Sequence, residues 1–312
     1  MNADGRSVRI IEWEDLDKRK FFTLGIVMTL AIRAAVYPAS LIRTRLQVQK
    51  GKSVYKGTAD AFAKIARAEG ARGLYRGFLV NALTIVSGQA YVTTYELARL
   101  YVSRFSDSNA LKSLVAGGCA SLVAQSITVP IDIISQHLMI QGAGAMGRFH
   151  LCATEGSALP LGRWRIVAAQ ILRADGPAGF YRGYTASLLT YIPNSAVWWP
   201  FYHAYTEQLA SVAPEGCPSL ALQAVAGPLA ALTANTVTNP MDVVRTRIQV
   251  EGKSSIVGTV RQLLAEEGAW GFTKGLSARL ISSVPTTVVI VVGYETLKKL
   301  SLRAELIDSR CL

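Results

Sequence analysis

The sequence predicts an all-α membrane protein built from three tandem copies of a two-helix unit. Three observations predict this fold class: two phrases that recur three times in the same order, a composition typical of membrane proteins, and six long apolar stretches. Half of the 312 residues are hydrophobic, only 17% are charged, and the mean hydropathy is +0.27. The charged fraction is well below the roughly 25% of soluble domains.

Each repeat is marked by a proline and the octet that it opens. Pro38, Pro130 and Pro240 begin the octets PASLIRTR, PIDIISQH and PMDVVRTR. A second phrase follows each octet: EGARGLYRG from residue 69, DGPAGFYRG from residue 175 and EGAWGFTKG from residue 267. Because a recurring unit decides the architecture, we predict three tandem repeats over 1–107, 108–214 and 215–312 that form one integrated transmembrane domain.

Each repeat contains two stretches long enough to cross a bilayer, which takes about 20 helical residues. The predicted spans are 21–46, 77–102, 110–140, 183–209, 220–250 and 275–300. Short helices are predicted between the two spans of each repeat, at 58–68, 163–174 and 255–266, and the glycine that follows each is expected to stop it.

Lysine and arginine are concentrated in the loops within the repeats, with nine between residues 43 and 76, five between 148 and 182 and six between 245 and 279. These loops are therefore expected to share one face of the membrane. The bias accounts for much of the net charge of +12. Since no nucleic-acid recognition module accompanies that charge, we expect no nucleic-acid partner.

Polar residues interrupt the spans, and charges in hydrocarbon are costly unless they face a polar interior or pair with each other. The spans are therefore expected to enclose a polar cavity. The sequence shows no nucleophile and base constellation and no metal-ligand cluster, so we expect no enzymatic activity, metal or cofactor. The interrupting residues are Arg33, Gln125, Asp132, His203, Asn235 and Asp242.

The threefold pattern of a proline, an acid two residues on and bases five and seven on, followed by an acid-glycine phrase, resembles the mitochondrial carrier family over nearly the whole chain. The resemblance implies six tilted helices around a cavity, pseudo-threefold symmetry, alternating access and a multi-pass location in the inner mitochondrial membrane. Longer runs, such as RTRLQVQKGKS and YIPNSAVWWPFYH, are similar to the branched-chain amino acid carriers of this family. They imply that a small-molecule amino acid substrate (leucine, isoleucine or valine) moves into the matrix through a monomer, with cardiolipin a candidate partner in the bilayer.

The family's pairing rule joins the acid of each octet to the first base of the next, and so implies a matrix-side gate. Here the rule pairs Asp132 with Arg245 and Asp242 with Arg43, while serines replace both members of the third pair, Ser40 and Ser135. The resemblance also implies that glutamines nine residues after the prolines, Gln47 and Gln249, brace these pairs. The alternative interpretation is that the charges only hold the helices together.

A second, cytosolic-side gate is implied by the phrases YELAR and YETLK. Its residues would be Glu96, Arg99, Glu295 and Lys298. In the second repeat His203 and Thr206 replace the acid and the base, so we expect a weak gate and a resting protein biased toward opening on the cytosolic side. His203 could titrate near neutral pH, or it could be a buried neutral histidine.

The family's contact positions, extended by helical spacing, imply a substrate site. We expect Arg33 to hold a carboxylate, an amide or hydroxyl to receive the ammonium, and Tyr191, Ile192 and Trp199 to flank a branched side chain. Snorkelling or a link to Asn235 is the alternative role for Arg33, a structural role is favoured for Arg279, and packing is the alternative for Trp198 and Trp199. The expected site residues are Arg33, Thr84, Gly88, Gln125, Tyr191, Ile192, Ser195, Trp199, Asn235, Ser283 and Thr287.

Two rival functions remain open at this stage. A carrier for another small monocarboxylate, such as a branched-chain keto acid, would explain why no carboxylate stands at these positions to receive an ammonium. A scaffold that has lost transport would explain the altered gate positions, although the paired loss of charge at Ser40 and Ser135 argues for a maintained gate.

Overall fold

The computed structural model describes residues 18–51, 54–105, 109–141, 160–213, 219–253 and 255–300, and all regular secondary structure in these ranges is helical. The predicted all-α class is therefore confirmed for this part of the chain. The helices are α1 (Lys18–Val48), α2 (Thr58–Leu74), α3 (Phe78–Ala82), α4 (Ile85–Val102), α5 (Asn109–Ile140), α6 (Pro160–Asp175), α7 (Tyr184–Val212), α8 (Ser219–Glu251), α9 (Ile256–Glu267) and α10 (Leu276–Leu300), and 3₁₀ segments follow α6 at Pro177–Tyr181 and α9 at Ala269–Thr273.

A long helical stretch lies at each of the six predicted spans, although the second is divided into α3 and α4. Two of these helices, among the described residues, contain a segment long and apolar enough to cross a membrane, namely Thr23–Val48 and Val115–Ile140. Charged residues such as Asp242 of α8 and Arg279 of α10 lower the mean hydropathy of other helices. Length and composition thus support two crossings directly.

The long helices pack in a closed order. Helix α1 contacts α10, α10 contacts α8, α8 contacts α7, α7 contacts α5, and α5 contacts both α4 and α3, while α3 returns to α1. The three short helices α2, α6 and α9 lie at one end of this bundle, which we call the loop end. Buried apolar clusters, which include Leu41, Ile65 and Ile133, fill the space between the short and the long helices there.

Each predicted stop glycine is found in the left-handed region of backbone conformation. Gly70, Gly176 and Gly268 have φ of 68°, 67° and 64°, a region that residues with a Cβ atom rarely adopt. The first of these glycines kinks α2, and the other two follow α6 and α9. The stops after α6 and α9 are therefore confirmed, whereas α2 continues beyond its kink at Gly70 to Leu74. The backbone leaves the helical conformation at the corresponding glycine in every repeat.

Buried cations at the loop end join each repeat to the next. Arg45 donates hydrogen bonds to Glu69 of its own repeat (2.7 Å) and to the backbone carbonyls of Met139 (2.8 Å) and Gln141 (2.9 Å) at the end of α5. The last four carbonyls of a helix lack partners within the helix and carry its negative dipole end. A guanidinium from the first repeat therefore caps the first long helix of the second repeat.

The same arrangement recurs in the third repeat. Arg247 donates to Glu267 (2.7 Å) and to the carbonyl oxygen of Gln47 near the end of α1 (3.0 Å), and Lys274 donates to the carbonyl oxygen of Gln49 (2.6 Å). Burial raises the pKa of the Glu267 carboxyl, but hydrogen bonds from Lys274 and Arg247 outweigh that effect and hold the pKa below its usual value. Because this folded-state pKa lies below the unfolded-state value, Glu267 stabilises the fold above the unfolded-state pKa. That stabilisation is lost as the pH falls through the folded-state pKa.

In the second repeat, Arg182 makes the corresponding link to the next repeat. Arg182 donates to Asp175 (3.0 Å) and to the carbonyl oxygen of Gly252 just after α8 (2.9 Å). The octet position that holds Arg45 and Arg247 in the other repeats holds His137, whose shorter side chain lies beside a small cavity that Asp175 and Arg182 also line. The three repeats thus hold one another in a cyclic order, and the cation of the second repeat, Arg182, is more exposed than Arg45 and Arg247.

We predict that Arg247→Gln lowers the stability of the protein by about 3–5 kcal/mol, because it leaves the buried Glu267 carboxylate without its guanidinium partner. Arg182→Gln should have a smaller effect, since the Arg182 side chain is 26% exposed against 1% for Arg247. Thermal unfolding of the purified protein in detergent measures both. The control is Arg261→Gln, a change at an exposed position on α9. Equal midpoints of thermal unfolding in all three variants would contradict the capping role of Arg247 and Arg182.

Candidate functional site

Two ion pairs join helices α1, α5 and α8 at the loop end of the bundle. Arg43 of α1 donates hydrogen bonds to both carboxylate oxygens of Asp242 of α8, and the bond from Nε to Oδ2 is 2.9 Å long. Arg245 of α8 donates one bond of 2.6 Å from Nη2 to Oδ2 of Asp132 on α5. The structure therefore brings together both of the charged pairs that the octets predict.

The third pair of positions implied by the family pattern, Ser40 and Ser135, carries no charge. Ser135 is buried and donates to the backbone oxygen of Gly77 at 3.4 Å. Among the described residues no hydrogen bond joins it to Ser40, the residue that the pattern makes its partner. Helices α1 and α5 are therefore connected here by packing and not by an ionic link.

The two predicted glutamine braces differ. Gln47 donates to Oδ2 of Asp242 at 2.7 Å and accepts a bond from Thr246 at 2.8 Å, so it lies against the ion pair as expected. Gln249 instead accepts from Gln136 at 2.8 Å and donates to Ser187 at 3.2 Å. The Asp132 pair therefore lacks the support that the Asp242 pair has, because the amide of Gln249 is engaged by α5 and α7.

A cavity with two adjoining compartments lies between the long helices, and both are lined by Val36, Ser40 and Thr286. The Arg33 compartment has a volume of about 440 Å³ and is lined by Met28, Thr29, Ile32, Arg33, Val36, Tyr37, Ser40, Asn81 and Thr286. The Arg279 compartment has a volume of about 380 Å³ and is lined by Val36, Ser40, Arg43, Asn194, Trp198, Ala231, Asn235, Arg279, Ser282, Ser283, Thr286 and Thr287. Since Arg43 lines the second compartment, the cavity reaches the Arg43–Asp242 pair.

Arg33 is the cation of the more apolar compartment. Its Nη1 donates to Oγ1 of Thr84 at 2.6 Å, and Thr84 in turn donates to the carbonyl oxygen of Asn81. In the described part of the chain, no carboxylate forms a salt bridge with Arg33. The guanidinium is thus positioned by a neutral hydroxyl and retains donors for another acceptor.

Arg279 is held by its neighbours. It donates to the backbone oxygen of Asn235 and to Oγ1 of Thr238, both at 3.1 Å, and its side chain is buried. These bonds fit the structural role that the sequence favoured, although the residue also borders the cavity. Asn235, Ser283 and Thr287 line the same compartment, as expected.

Several expected site residues do not line either compartment. Gly88, Gln125 and Ser195 are absent from both linings, and Tyr191 and Ile192 are 43% and 58% exposed. The side chain of Trp199 lies outside the described residues. The cavity wall on α7 is formed instead by two residues that the contact pattern missed, Asn194 and Trp198.

The observed wall residues Asn194 and Trp198 each precede an expected one, Ser195 and Trp199, by one position on the continuous helix α7. The expected face is therefore displaced by one residue, or about 100° of helix rotation. Asn194 and Trp198 are four residues apart, so a helical spacing that began at Asn194 would have placed both on one face of α7.

The cytosolic-side gate stays a prediction. The side chains of Glu96, Arg99, Glu295 and Lys298 lie outside the described residues. In the part of the chain that the structure describes, no three potential metal-ligating side chains lie together.

We predict that Asp242→Asn destabilises the protein more than the same change at Asp132. Asp242 is 2% exposed and accepts bonds from two residues, whereas Asp132 is 17% exposed and accepts one bond. The expected cost is about 1.5–3 kcal/mol for the one charged hydrogen bond at Asp132, and it is larger at Asp242, which accepts three bonds. Thermal unfolding in detergent compares the two variants, and the reverse order would contradict the assignment.

Comparison with known proteins identifies the family. The family model described as mitochondrial carrier protein matches residues 19–105, 106–212 and 218–305. Solute carrier family 25 member 44 from Mus musculus is 67% identical and that from Homo sapiens is 66% identical, each over 98% of this chain and 99% of the relative. The electrogenic aspartate/glutamate antiporter SLC25A12, mitochondrial, from Homo sapiens is 32% identical over 89% of this chain and 40% of its own length. Since members of the matched family are transporters and three repeats match in sequence order, the chain belongs to the mitochondrial carrier family.

Proposed function

We propose that this protein carries leucine, isoleucine and valine across the inner mitochondrial membrane into the matrix. Family membership supports transport, and the motifs similar to branched-chain amino acid carriers support the substrate class. The observation that carries the proposal is Arg33, a cation of α1 that forms no salt bridge with the described residues and borders a compartment with apolar walls.

The Arg33 compartment suits a molecule with one carboxylate and a branched apolar side chain. Arginine binds a carboxylate through a planar fork of two donors. Met28, Ile32 and Val36 follow one another at intervals of four residues, so their side chains share one face of α1. Burial of one branched side chain against them contributes about 1.5–3 kcal/mol. A volume of about 440 Å³ is suited to a small ligand.

The transport cycle follows from the ion pairs. In the proposal all six long helical stretches cross the membrane, the loop end faces the matrix, and the pairs Arg43–Asp242 and Asp132–Arg245 close that side. Substrate enters from the cytosolic side, where Glu96, Arg99, Glu295 and Lys298 form the second gate. A ligand shifts such an equilibrium only by binding one state more tightly than the other. The bound substrate must therefore favour the state in which the matrix-side pairs have separated.

Two features of the surroundings belong to the same proposal. The protein acts as a monomer, because a single chain contains all three repeats and the whole cavity. Cardiolipin is proposed as a bilayer partner on the matrix side, where the basic loops are concentrated.

A branched-chain keto acid is the second candidate substrate. Among the described residues that line the two compartments there is no aspartate or glutamate. A keto acid needs only the arginine and the apolar wall, whereas an amino acid also needs an acceptor for its ammonium. Uptake of leucine and of α-ketoisocaproate by the same liposomes distinguishes the two.

We predict that Arg33→Gln lowers the initial rate of leucine uptake into liposomes at least about tenfold, since a hydrogen bond to a charged group contributes about 1.5–3 kcal/mol. Arg33→Lys should retain part of the activity, because it keeps the charge and loses the fork. The unfolding temperature should change little, since Arg33 has a single hydrogen bond to a neutral partner.

The exposed Arg165→Gln on α6 is the matched control and should transport normally. If Arg33→Gln took up leucine at the wild-type rate, Arg33 would not be the residue that binds the substrate carboxylate. If the wild-type protein took up only the keto acid, the keto acid would replace leucine as the proposed substrate. If a folded wild-type protein took up neither compound, the proposed function would be wrong.

A further inference from the structure

The second predicted span is interrupted beside Arg33. Helix α3 ends and helix α4 begins on either side of Leu83 and Thr84. At this break the N–H of Leu83 donates to the carbonyl oxygen of Val80 at 3.1 Å and that of Thr84 to the carbonyl oxygen of Asn81 at 3.0 Å, so the chain forms a tighter, 3₁₀-type turn. The corresponding residues of the other repeats, 189–190 and 281–282, lie inside the continuous helices α7 and α10. A tighter turn inside a helical stretch often marks a functional position.

Thr84 joins Arg33 to Asn81 at this break. Its Oγ1 accepts a hydrogen bond from Nη1 of Arg33 at 2.6 Å and donates one to the backbone oxygen of Asn81 at 2.7 Å. The backbone N–H of Thr84 donates to the same oxygen. Arg33 and Asn81 both line the Arg33 compartment. Asn81 is therefore held within two hydrogen bonds of the guanidinium.

The side-chain amide of Asn81 is available to a ligand. It makes no hydrogen bond within the described ranges, and its polar atoms are accessible rather than buried. Ser187 and Arg279 occupy the same position in the other repeats, four residues after the last glycine of the second phrase. Ser187 bonds within α7 and to α8, and Arg279 bonds to α8. The first repeat thus leaves unengaged a polar group that the other two repeats use to hold helices.

The other polar side chains of the compartment are less suited to a group next to Arg33. Three hydroxyls donate to backbone oxygens, namely those of Thr29, Tyr37 and Thr286. The hydroxyl of Ser40 has no hydrogen bond in the described part of the chain, but Ser40 follows Arg33 by seven residues, or about 10 Å along α1. The ammonium and the carboxylate of an amino acid are attached to one carbon atom. An acceptor for the ammonium must therefore lie close to the arginine that holds the carboxylate.

We propose that Oδ1 of Asn81 accepts the α-ammonium of the substrate while Arg33 holds its α-carboxylate. This inference rests on the proposed function and names the residue that recognises the α-substituent. An ammonium group has three donors and no acceptor, so an amide oxygen without another partner matches it. The two contacts orient the substrate so that its branched side chain lies against Met28, Ile32 and Val36 of α1.

A neutral acceptor suits this position better than a carboxylate. An aspartate within two hydrogen bonds of Arg33 would pair with it and compete with the substrate carboxylate, because bidentate pairs between arginine and a carboxylate are strong. The amide of Asn81 receives the ammonium and leaves the guanidinium available. A compartment lining without aspartate or glutamate, as found among the described residues, is therefore compatible with an amino acid substrate.

The test compares three ligands that differ only at the α-carbon: leucine, α-ketoisocaproate and 4-methylpentanoate, which carries only hydrogen there. Their dissociation constants for the purified full chain are measured from thermal stabilisation by each ligand. The wild-type protein should bind leucine more tightly than 4-methylpentanoate. In Asn81→Leu we expect the leucine constant to rise at least about tenfold and the 4-methylpentanoate constant to change much less. Asn81→Ala, which removes the amide without adding bulk, should show the same selective loss.

Two further variants separate this inference from the proposed function. Arg33→Gln should weaken all three ligands, since all three carry the carboxylate. Gln89→Leu, a change at an exposed position on α4 that lines neither compartment, should weaken none.

The inference would be wrong if both Asn81 variants weakened leucine and 4-methylpentanoate equally, because Asn81 would then only shape the compartment. It would also be wrong if leucine binding were unchanged in both variants. If the wild-type protein bound none of the three ligands, the proposed function itself would be wrong. If it bound only the keto acid, that compound would replace leucine as the proposed substrate and the ammonium contact would be wrong with it.

Discussion

The bundle depends on the buried cations at its loop end, which bond to an acid of their own repeat and to the terminal carbonyls of a helix in the next. Arg45 caps α5, Arg182 caps the end of α8, and Arg247 with Lys274 caps α1. The three links close a cycle around that end of the bundle. The Arg43–Asp242 and Arg245–Asp132 pairs lie toward the same end of the bundle, and Arg43 borders the cavity.

The ring is not symmetric, and the second repeat accounts for the difference. It carries His137 where the other repeats carry arginine, Ser135 where an octet base is expected, and the single-bonded Asp132. All three lie on α5. Among the described residues, Asp242 accepts three hydrogen bonds from α1, whereas Asp132 accepts one from α8. The two ion pairs of the proposed matrix-side gate therefore differ in strength.

The sequence predicted the features that local spacing encodes. The octets supplied the charged residues, and the family resemblance implied how they pair. The glycine after each short helix predicted a break in the helix, since only a residue without a Cβ atom adopts φ near +65° readily. The cavity wall was harder to predict, because it depends on helix rotation and on competition for polar groups. The wall on α7 includes Asn194 and Trp198, one position before the expected Ser195 and Trp199, and Gln136 and Ser187 bond to Gln249. Met28, Ile32 and Val36 lie within a predicted apolar span, and only their spacing of four residues indicated that they share one face of the helix.

The recognition of one carboxylate and one branched side chain can be tested most directly from the ligand. Unlabelled analogues should be compared as competitors of labelled leucine uptake by wild-type protein in liposomes. Isoleucine and valine, which keep both groups, should compete about as well as leucine. Leucinol, which lacks the carboxylate, and alanine, which lacks the branched chain, should compete poorly. Competition by leucinol equal to that by leucine would contradict a site built around Arg33.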